Sequence, residues 1–210
     1  GNGETEDMAF EAEVAESVIK TIMEHNETAD WQGDTASANV YINRYDGLIK
    51  IIDAATTAVD GNTTSATSIT SGASGNADTL ITDVCNARPA KVKSAANQVL
   101  FVGQDTFDKY VDTLNAKNLF NVNATDWANY TLSIPGKNVT LVGVVGLDGT
   151  NRMFLGTQEN FFLGFDLQND EEEFDMWYDK KDDKVYYRVK FKRGLQVAYP
   201  NEIVEFTLSA

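Results

Sequence analysis

Hydrophobic and polar positions fall into two regimes along the chain. Met8, Ala12, Ala15, Ile19 and Ile22 recur at spacings of four and three, the stripe of an amphipathic helix. Ala29 to Asn39 is small and polar around Trp31-Gln32-Gly33-Asp34 and reads as a turn. Tyr45, Leu48, Ile49, Ile52 and Val59 restore helical spacing in a second helix, with Asn43 as its N-cap. Asp60 to Asp78 has Ile69 as its one large apolar residue, so a long surface loop is expected, mobile unless a neighbour orders it. Leu80, Ile81, Val84 and Cys85 mark a third helix, which Pro89 ends or kinks. Gln98 to Val102 is an apolar run of strand length. Asp105 then opens, as N-cap, a helix with Phe107, Tyr110, Val111 and Leu114 on one face.

After Asn115 the period changes. Tyr130 to Ile134 and Val139 to Val145 are strand-like, split by Pro135-Gly136-Lys137-Asn138. A turn at Asp148-Gly149-Thr150-Asn151 leads into Arg152 to Leu155. Val185, Tyr187, Val189 and Phe191 alternate with Tyr186, Arg188, Lys190 and Lys192, the period of a strand with one buried and one wet face. Phe174, Met176 and Tyr178 pair with that strand through a Lys180-Lys181-Asp182-Asp183 turn, and Glu202 to Leu208 reads as a last strand. Helices first and strands later make the class α+β.

Charge narrows the function classes. The 210 residues carry 32 Asp and Glu against 17 Lys and Arg, a net charge of −15, which argues against a surface that grips nucleic-acid phosphates. The chain is long enough for one large domain or two small ones. No apolar run approaches the ~20 residues a membrane helix needs. Glu4, Glu6, Asp7, Glu11, Glu13 and Glu16 crowd the first helix without a base among them, so that half stays solvated or meets a basic partner. Gly1-Asn2-Gly3 reads as a cloning scar or a cut end.

No catalytic constellation assembles. His25 is the one imidazole, at the end of the acidic helix, and reads as a surface or capping residue. Cys85 lies on an apolar helix face and reads as a buried thiol. One His and one Cys fall short of the four ligands of a structural zinc site. Gly143, Gly146 and Gly149 fit no phosphate-loop spacing and read as bulges or close backbone approaches. The run Asp170-Glu171-Glu172-Glu173, with Asp166 and Asp175, lacks the alternation of a calcium loop and reads as a solvated loop. Five Asn-x-Ser/Thr sequons, at Asn26, Asn62, Asn123, Asn129 and Asn138, are near chance. No cofactor and no metal is expected.

One charge pattern carries information. The acids of Asp170 to Asp175 precede Lys180, Lys181, Lys184, Arg188, Lys190, Lys192 and Arg193. Adjacent strands could pair these charges within the chain. Alternatively, Glu171, Glu172 and Glu173 on one subunit meet Lys190, Lys192 and Arg193 on another, and these six are the candidate inter-subunit contacts.

The order of short strings is similar to a known family. An acidic helix precedes Trp31-Gln32-Gly33-Asp34, then Tyr45-Asp46-Gly47-Leu48-Ile49-Lys50-Ile51-Ile52. Val99-Leu100-Phe101-Val102-Gly103 and Asp105-Thr106-Phe107 come after these. Ile134-Pro135-Gly136-Lys137-Asn138-Val139 and Arg152-Met153-Phe154-Leu155-Gly156-Thr157-Gln158-Glu159-Asn160 come next. Over nearly its whole length the chain resembles the major capsid protein of tailed bacteriophages, the Hong Kong-type capsid fold shared with encapsulin shells. The resemblance implies a long spine helix from Thr5 to about Asn26. It implies a peripheral domain over 1–34, an axial domain over 35–149, peripheral strands over 150–195 and a return strand to the axial domain over 196–210. Family members carry an N-terminal arm and an extended loop ahead of the spine, and this sequence starts almost at the spine.

In function, the resemblance implies a structural subunit of a virion or prophage shell, made in the bacterial cytoplasm. Its partners would be copies of itself in hexamers and pentamers, with scaffold, portal or decoration proteins beside them, and neither specific nucleic-acid binding nor a membrane. The family's lysine–asparagine cross-link is assigned to no pair. An encapsulin-type shell is the near alternative. A secreted adhesin or carbohydrate-binding module is a further one, with Trp31, Trp127 and Trp177 as sugar platforms where they are not packed in the core. An acidic hydrolase comes last.

Overall fold

Two strands with apolar residues on both faces decide the architecture. The computed structural model describes residues 3–119, 129–165, 173–190 and 192–209. In β2 (Gln98–Gly103), Leu100 and Val102 join one hydrophobic cluster while Phe101, between them, packs with another. In β5 (Met153–Thr157), Met153 and Leu155 join the first cluster and Phe154 the second. A sheet with two apolar faces must be covered on both sides.

The sheet has six strands, in the order β1 (Val59–Asp60), β10 (Val204–Phe206), β5, β2, β4 (Thr140–Val144), β3 (Thr131–Ser133). β1 runs parallel to β10 and β2 parallel to β4, and the other neighbours are antiparallel. On one face, α3 (Ala77–Asn86) supplies Leu80, Ile81, Val84 and Cys85, and α5 (Gln104–Ala116) supplies Phe107, Tyr110 and Leu114. On the other, α2 (Leu48–Ala55) supplies Leu48 and Ile52, and the end of α1 (Gly3–Gln32) supplies Trp31 against Leu147, Phe154 and Ile203. Each such side chain fully buried is worth about 1.5–3 kcal/mol of transfer free energy.

β6 (Phe161–Phe165) and β9 (Arg193–Val197) form a two-stranded ribbon. Nested between them in the chain, β7 (Glu173–Asp179) pairs with β8 (Lys184–Lys190). Their register sets Phe174 opposite Val189, Met176 opposite Tyr187 and Tyr178 opposite Val185, the pairing the alternation predicts. Phe191, Asp166 and Asp170 to Glu172 lie outside the described residues.

The structure differs from the sequence reading at element ends. Trp31 lies in α1, not in a turn, because the helix continues for 30 residues and its last turn packs on the body. His25 is therefore interior to the helix, half-buried and stacked on Tyr41 with ring centroids 4.3 Å apart. α2 is shorter than expected, and its N-cap is Gly47, not Asn43. α5 is capped by Gly103, not Asp105, which sits in the first turn where its charge complements the helix dipole. Pro89 does not kink α3, which ends at Asn86; it precedes the single turn α4 (Ala90–Lys93).

The loop before α3 is tied within the chain. The buried Asn62 amide donates to the Ala66 and Thr207 carbonyls at 3.1 and 2.8 Å, and its oxygen accepts the Ala66 N–H at 2.7 Å. Asn76 bridges Ser68 and Thr70 at 2.9 and 2.8 Å, and Ile69 is buried. Asn26, like Asn62, is too buried to present a glycan.

Candidate functional site

α1 meets the body through a dense set of contacts at its last two turns. The Glu27 carboxylate accepts the Val145 N–H at 3.0 Å and the Gly146 N–H at 3.4 Å, and the Gln32 amide donates to the Gly146 carbonyl at 2.7 Å. Trp31 packs against Gly146, where any Cβ would strike its ring and the Glu27 carbonyl, a close backbone approach of the kind the sequence suggested for that glycine. One turn away, Asp30 takes a two-pronged ion pair from Arg193 at the start of β9, with Nε to Oδ1 at 2.8 Å. Tyr45 donates its hydroxyl to the same Oδ1 at 2.7 Å. Burial, then the Asp30 carboxylate, raises the Tyr45 phenol well above its usual range.

Beside this joint the chain crosses itself at two glycines, and the Gly47 N–H donates to the Gly33 carbonyl at 2.9 Å. Lys50 holds Asp34 and Asp46 at 2.6 and 2.8 Å. Asp46 also accepts the Thr35 N–H at 2.9 Å and its hydroxyl at 2.8 Å. The Lys50 hydrogen bond, then those from Thr35, lower the Asp46 carboxyl to about 2. A lowered acid stabilises the fold above the unfolded value of about 3.9 and loses that contribution as pH falls toward 2. Asp46→Asn should therefore lower the urea midpoint at pH 6, with the gap from wild type closing between pH 4 and pH 2. An equal gap at both ends of that range contradicts the assignment. Across the site, Arg152 bridges Asp53 of α2 and Glu205 of β10.

These groups lock elements together. Cys85 is fully buried, and burial pushes its thiol up to about 11. His25 faces Tyr41, not a nucleophile. Among the described residues, no group of three or more His, Cys, Asp or Glu is placed to hold a metal ion.

Of the candidate contact residues, Glu173 lies in β7, Lys190 in β8 and Arg193 at the start of β9. Glu171 and Glu172 lie outside the described residues. The register sets Glu173 opposite Lys190 and Asp175 opposite Arg188 within one chain. Arg193 is engaged by Asp30, and Lys192 is exposed. Of the residues that build the joint, Glu27 and Asp30 had no signal in the sequence, and Tyr45, expected in the second helix, lies ahead of α2; Asp30 and Arg193 are 163 positions apart. Of the tryptophans offered as sugar platforms, Trp31 is core, Trp177 is 46% exposed, and Trp127 lies outside the described residues.

The remaining surface is rich in exposed large apolar residues. Phe162 and Leu163 of β6, Trp177 and Tyr178 of β7, and Tyr199 are each between 42% and 58% exposed. Neighbours along a strand point to opposite faces, so both faces of β6 and of β7 offer apolar surface to a partner.

No protein-family model matches the chain, and no curated protein matches it. Solved structures do. A chain of the satellite phage P4 procapsid, in a structure that includes the size determination (Sid) protein, superposes with a TM-score of 0.63 at 15% identity. The match covers 96% of this chain and 64% of that one, so this chain spans less than two thirds of its neighbour's length. A chain of the virus-like particle from Pyrococcus furiosus matches at a TM-score of 0.43 and 13% identity, over 76% of this chain and 59% of that one, a score too low to carry a conclusion. The fold is thus of the type found in a phage procapsid, with helices on both faces of a mixed sheet.

Proposed function

We propose that this chain is a shell subunit, the major capsid protein of a tailed phage or prophage. Copies would assemble as hexamers and pentamers into an icosahedral head, with scaffold, portal or decoration proteins as further partners, and the site of action would be the virion. The observation that carries this reading is the likeness to a phage procapsid chain along 96% of the sequence. In this reading 1–34 form the spine side of a peripheral domain, 35–149 an axial domain, 150–195 the peripheral strands, and 196–210 the return to the axial sheet.

Three physical features support it. The joint at Asp30 and Gly146 ties α1 to the body, and the apolar ribbons give surface for neighbours. A net charge of −15 suits the wall of a container through which DNA must slide, because like charge keeps phosphate off the surface. An encapsulin-type shell would use the same fold around a cargo enzyme, and the contents of the particle separate the two readings.

Negative-stain microscopy of the protein expressed with its neighbouring genes is expected to show rings or closed shells. Nuclease-protected DNA inside them supports the phage reading, and a packaged enzyme supports the encapsulin reading. Discrete monomers at every concentration overturn both.

A further inference from the structure

Arg152, just ahead of β5, holds two acids with one nitrogen. Its Nη2 donates to Oδ1 of Asp53 on α2 and to Oε1 of Glu205 on β10. Nη1 reaches the second Asp53 oxygen at 3.4 Å, and the guanidinium carbon lies 5.4 Å from the Phe154 ring centroid. Two carboxyl groups that meet on one nitrogen also lie close to each other, here near enough for a hydrogen bond between them. Two ionised carboxylates cannot make that bond, because neither has a hydrogen to give.

The other groups facing Glu205 do not offset the pair. On β1 the register sets Asp60 beside it, and that exposed carboxylate accepts the Asn62 N–H at 2.8 Å. On β5 the opposite residue is Phe154. On β10 the Thr207 hydroxyl donates to Glu205 at 3.3 Å. Lys50, one turn before Asp53 on α2, is engaged by Asp34 and Asp46. The triad thus sets one cation against two acids, with the Arg152 and Glu205 side chains only 14% and 19% exposed. Burial, then the Asp53 hydrogen bond, raises the Glu205 carboxyl against the pull of Arg152. Two cavities lead water to the group. One of about 540 Å³ is lined by Asp53, Arg152 and Thr207, and one of about 360 Å³ by Asp60, Glu205 and Thr207.

We propose that Asp53, Arg152 and Glu205 form a protonation switch that sets how firmly α2 and the last strand are held together. One proton from solvent adds to Glu205. Its O–H then donates to an Asp53 oxygen, Arg152 keeps its hold on Asp53, and the triad goes from a net charge of −1 to zero. Loss of that proton leaves two like charges on one guanidinium. The strain falls on the β1–β10 edge, where the Glu205 carbonyl accepts the Gly61 N–H at 2.7 Å and the Ile203 carbonyl accepts the Val59 N–H at 2.8 Å. A raised acid binds its proton more tightly in the folded chain. Its contribution is therefore fully present below the unfolded value of about 4.3 and is lost as pH rises through the folded value. Asp46, a lowered acid, behaves in the reverse way. The switch belongs to the single chain and stands apart from the shell reading.

Glu205→Gln is a fixed mimic of the protonated state, because its amide donates to Asp53 while its oxygen accepts from Arg152. Its urea midpoint is expected to exceed that of wild type at pH 8, with the gap closing as pH falls to 4.5. Asp108, raised by burial and then by Asp112, Asp148 and Asp105, titrates alike in both proteins and cancels from the difference. Hydrogen exchange at Val59 and Gly61, corrected for the intrinsic rate, should speed up between pH 5 and pH 8 in wild type and not in the variant. A gap that is the same at both ends of the range overturns the switch, as does a wild type more stable than the variant at pH 8.

Carboxyl carbon NMR of wild type decides the matter without any substitution, should Glu205→Gln fail to fold. Glu205 is expected to titrate above about 4.3, and to move back toward that value in Asp53→Asn. A wild-type Glu205 that titrates at or below about 4.3, or one that Asp53→Asn leaves unmoved, overturns the proposal.

Discussion

Gly47→Val is expected to leave no cooperative unfolding transition, and Gly47→Ala to lose about 3 kcal/mol or more, at the upper end of what overpacking a tight interior costs. The reason is room, not backbone conformation, since Gly47 has φ −83 and ψ 173, an extended geometry open to any residue. A Cβ there would lie 2.6 Å from the Gly33 nitrogen, 2.6 Å from the Trp31 carbonyl oxygen and 2.8 Å from the Ala29 carbonyl oxygen. All three are backbone atoms, two of them in the last turn of α1, and none can rotate away as a side chain would. Against a total stability of about 5–15 kcal/mol, a loss of that size removes much of the margin. Gly194→Ala is the control, because a Cβ there meets nothing within 4 Å. Urea denaturation checks both, and a Gly47→Ala midpoint equal to wild type contradicts the crossing.

Trp31→Ala is expected to cost about 3–5 kcal/mol, the range for deleting a buried large aromatic. The indole is 6% exposed, 5.1 Å from the Phe101 ring and 5.9 Å from the Phe154 ring by centroids, and it fills the space that Gly146 leaves open. The residue also carries the end of α1, so its loss should free the helix as well as open a cavity. Proteolysis within residues 13–32 should then speed up before global unfolding does. Trp177→Ala is the contrast. That ring is half exposed and stacks on Tyr186 at 5.7 Å, a pair worth about 0.5–1.5 kcal/mol. Equal losses from the two substitutions would contradict the assignment of Trp31 to the core.

The sequence made legible whatever a single face could encode. The period of two in 185–191, with Phe174, Met176 and Tyr178 spaced to match, showed which two strands pair, and the register then sets these three opposite Val189, Tyr187 and Val185. The stripes Leu80-Ile81-Val84-Cys85 and Phe107-Tyr110-Leu114 named the helix faces that cover the sheet. Element ends were harder, because capping rules describe isolated helices. Asn43 and Asp105 satisfy those rules, yet Gly47 and Gly103 take the cap positions. A Cβ at Gly47 would strike the backbone of Gly33 and α1, and one at Gly103 would sit 2.8 Å from the Leu147 carbonyl oxygen. Trp31 sat in a polar stretch that reads as a turn, and only its packing on Phe101 and Phe154 extends the helix through it. The joint was invisible for a different reason. Asp30 with Arg193, and Glu27 with Val145, are partners over more than a hundred positions, and no local period reports such a pair.

The place of β10 in the sheet has a consequence for how the protein is made. Residues 204–206 sit between β1 and β5, so Val59 and Gly61 find their hydrogen-bond acceptors, Ile203 and Glu205, only when those residues emerge from the ribosome. At about 5–20 residues per second, translation leaves that slot empty for on the order of ten seconds. For roughly the last 50 residues of that interval, about 2–10 seconds at the same rate, the nascent chain also shows the unpaired flank of Met153-Phe154-Leu155, a sticky template for chaperones or for a sibling polypeptide on the same messenger. Insertion of one short segment thus acts as a timing gate: the flank of β5 is safe among identical nascent chains only once β10 has slotted in beside it.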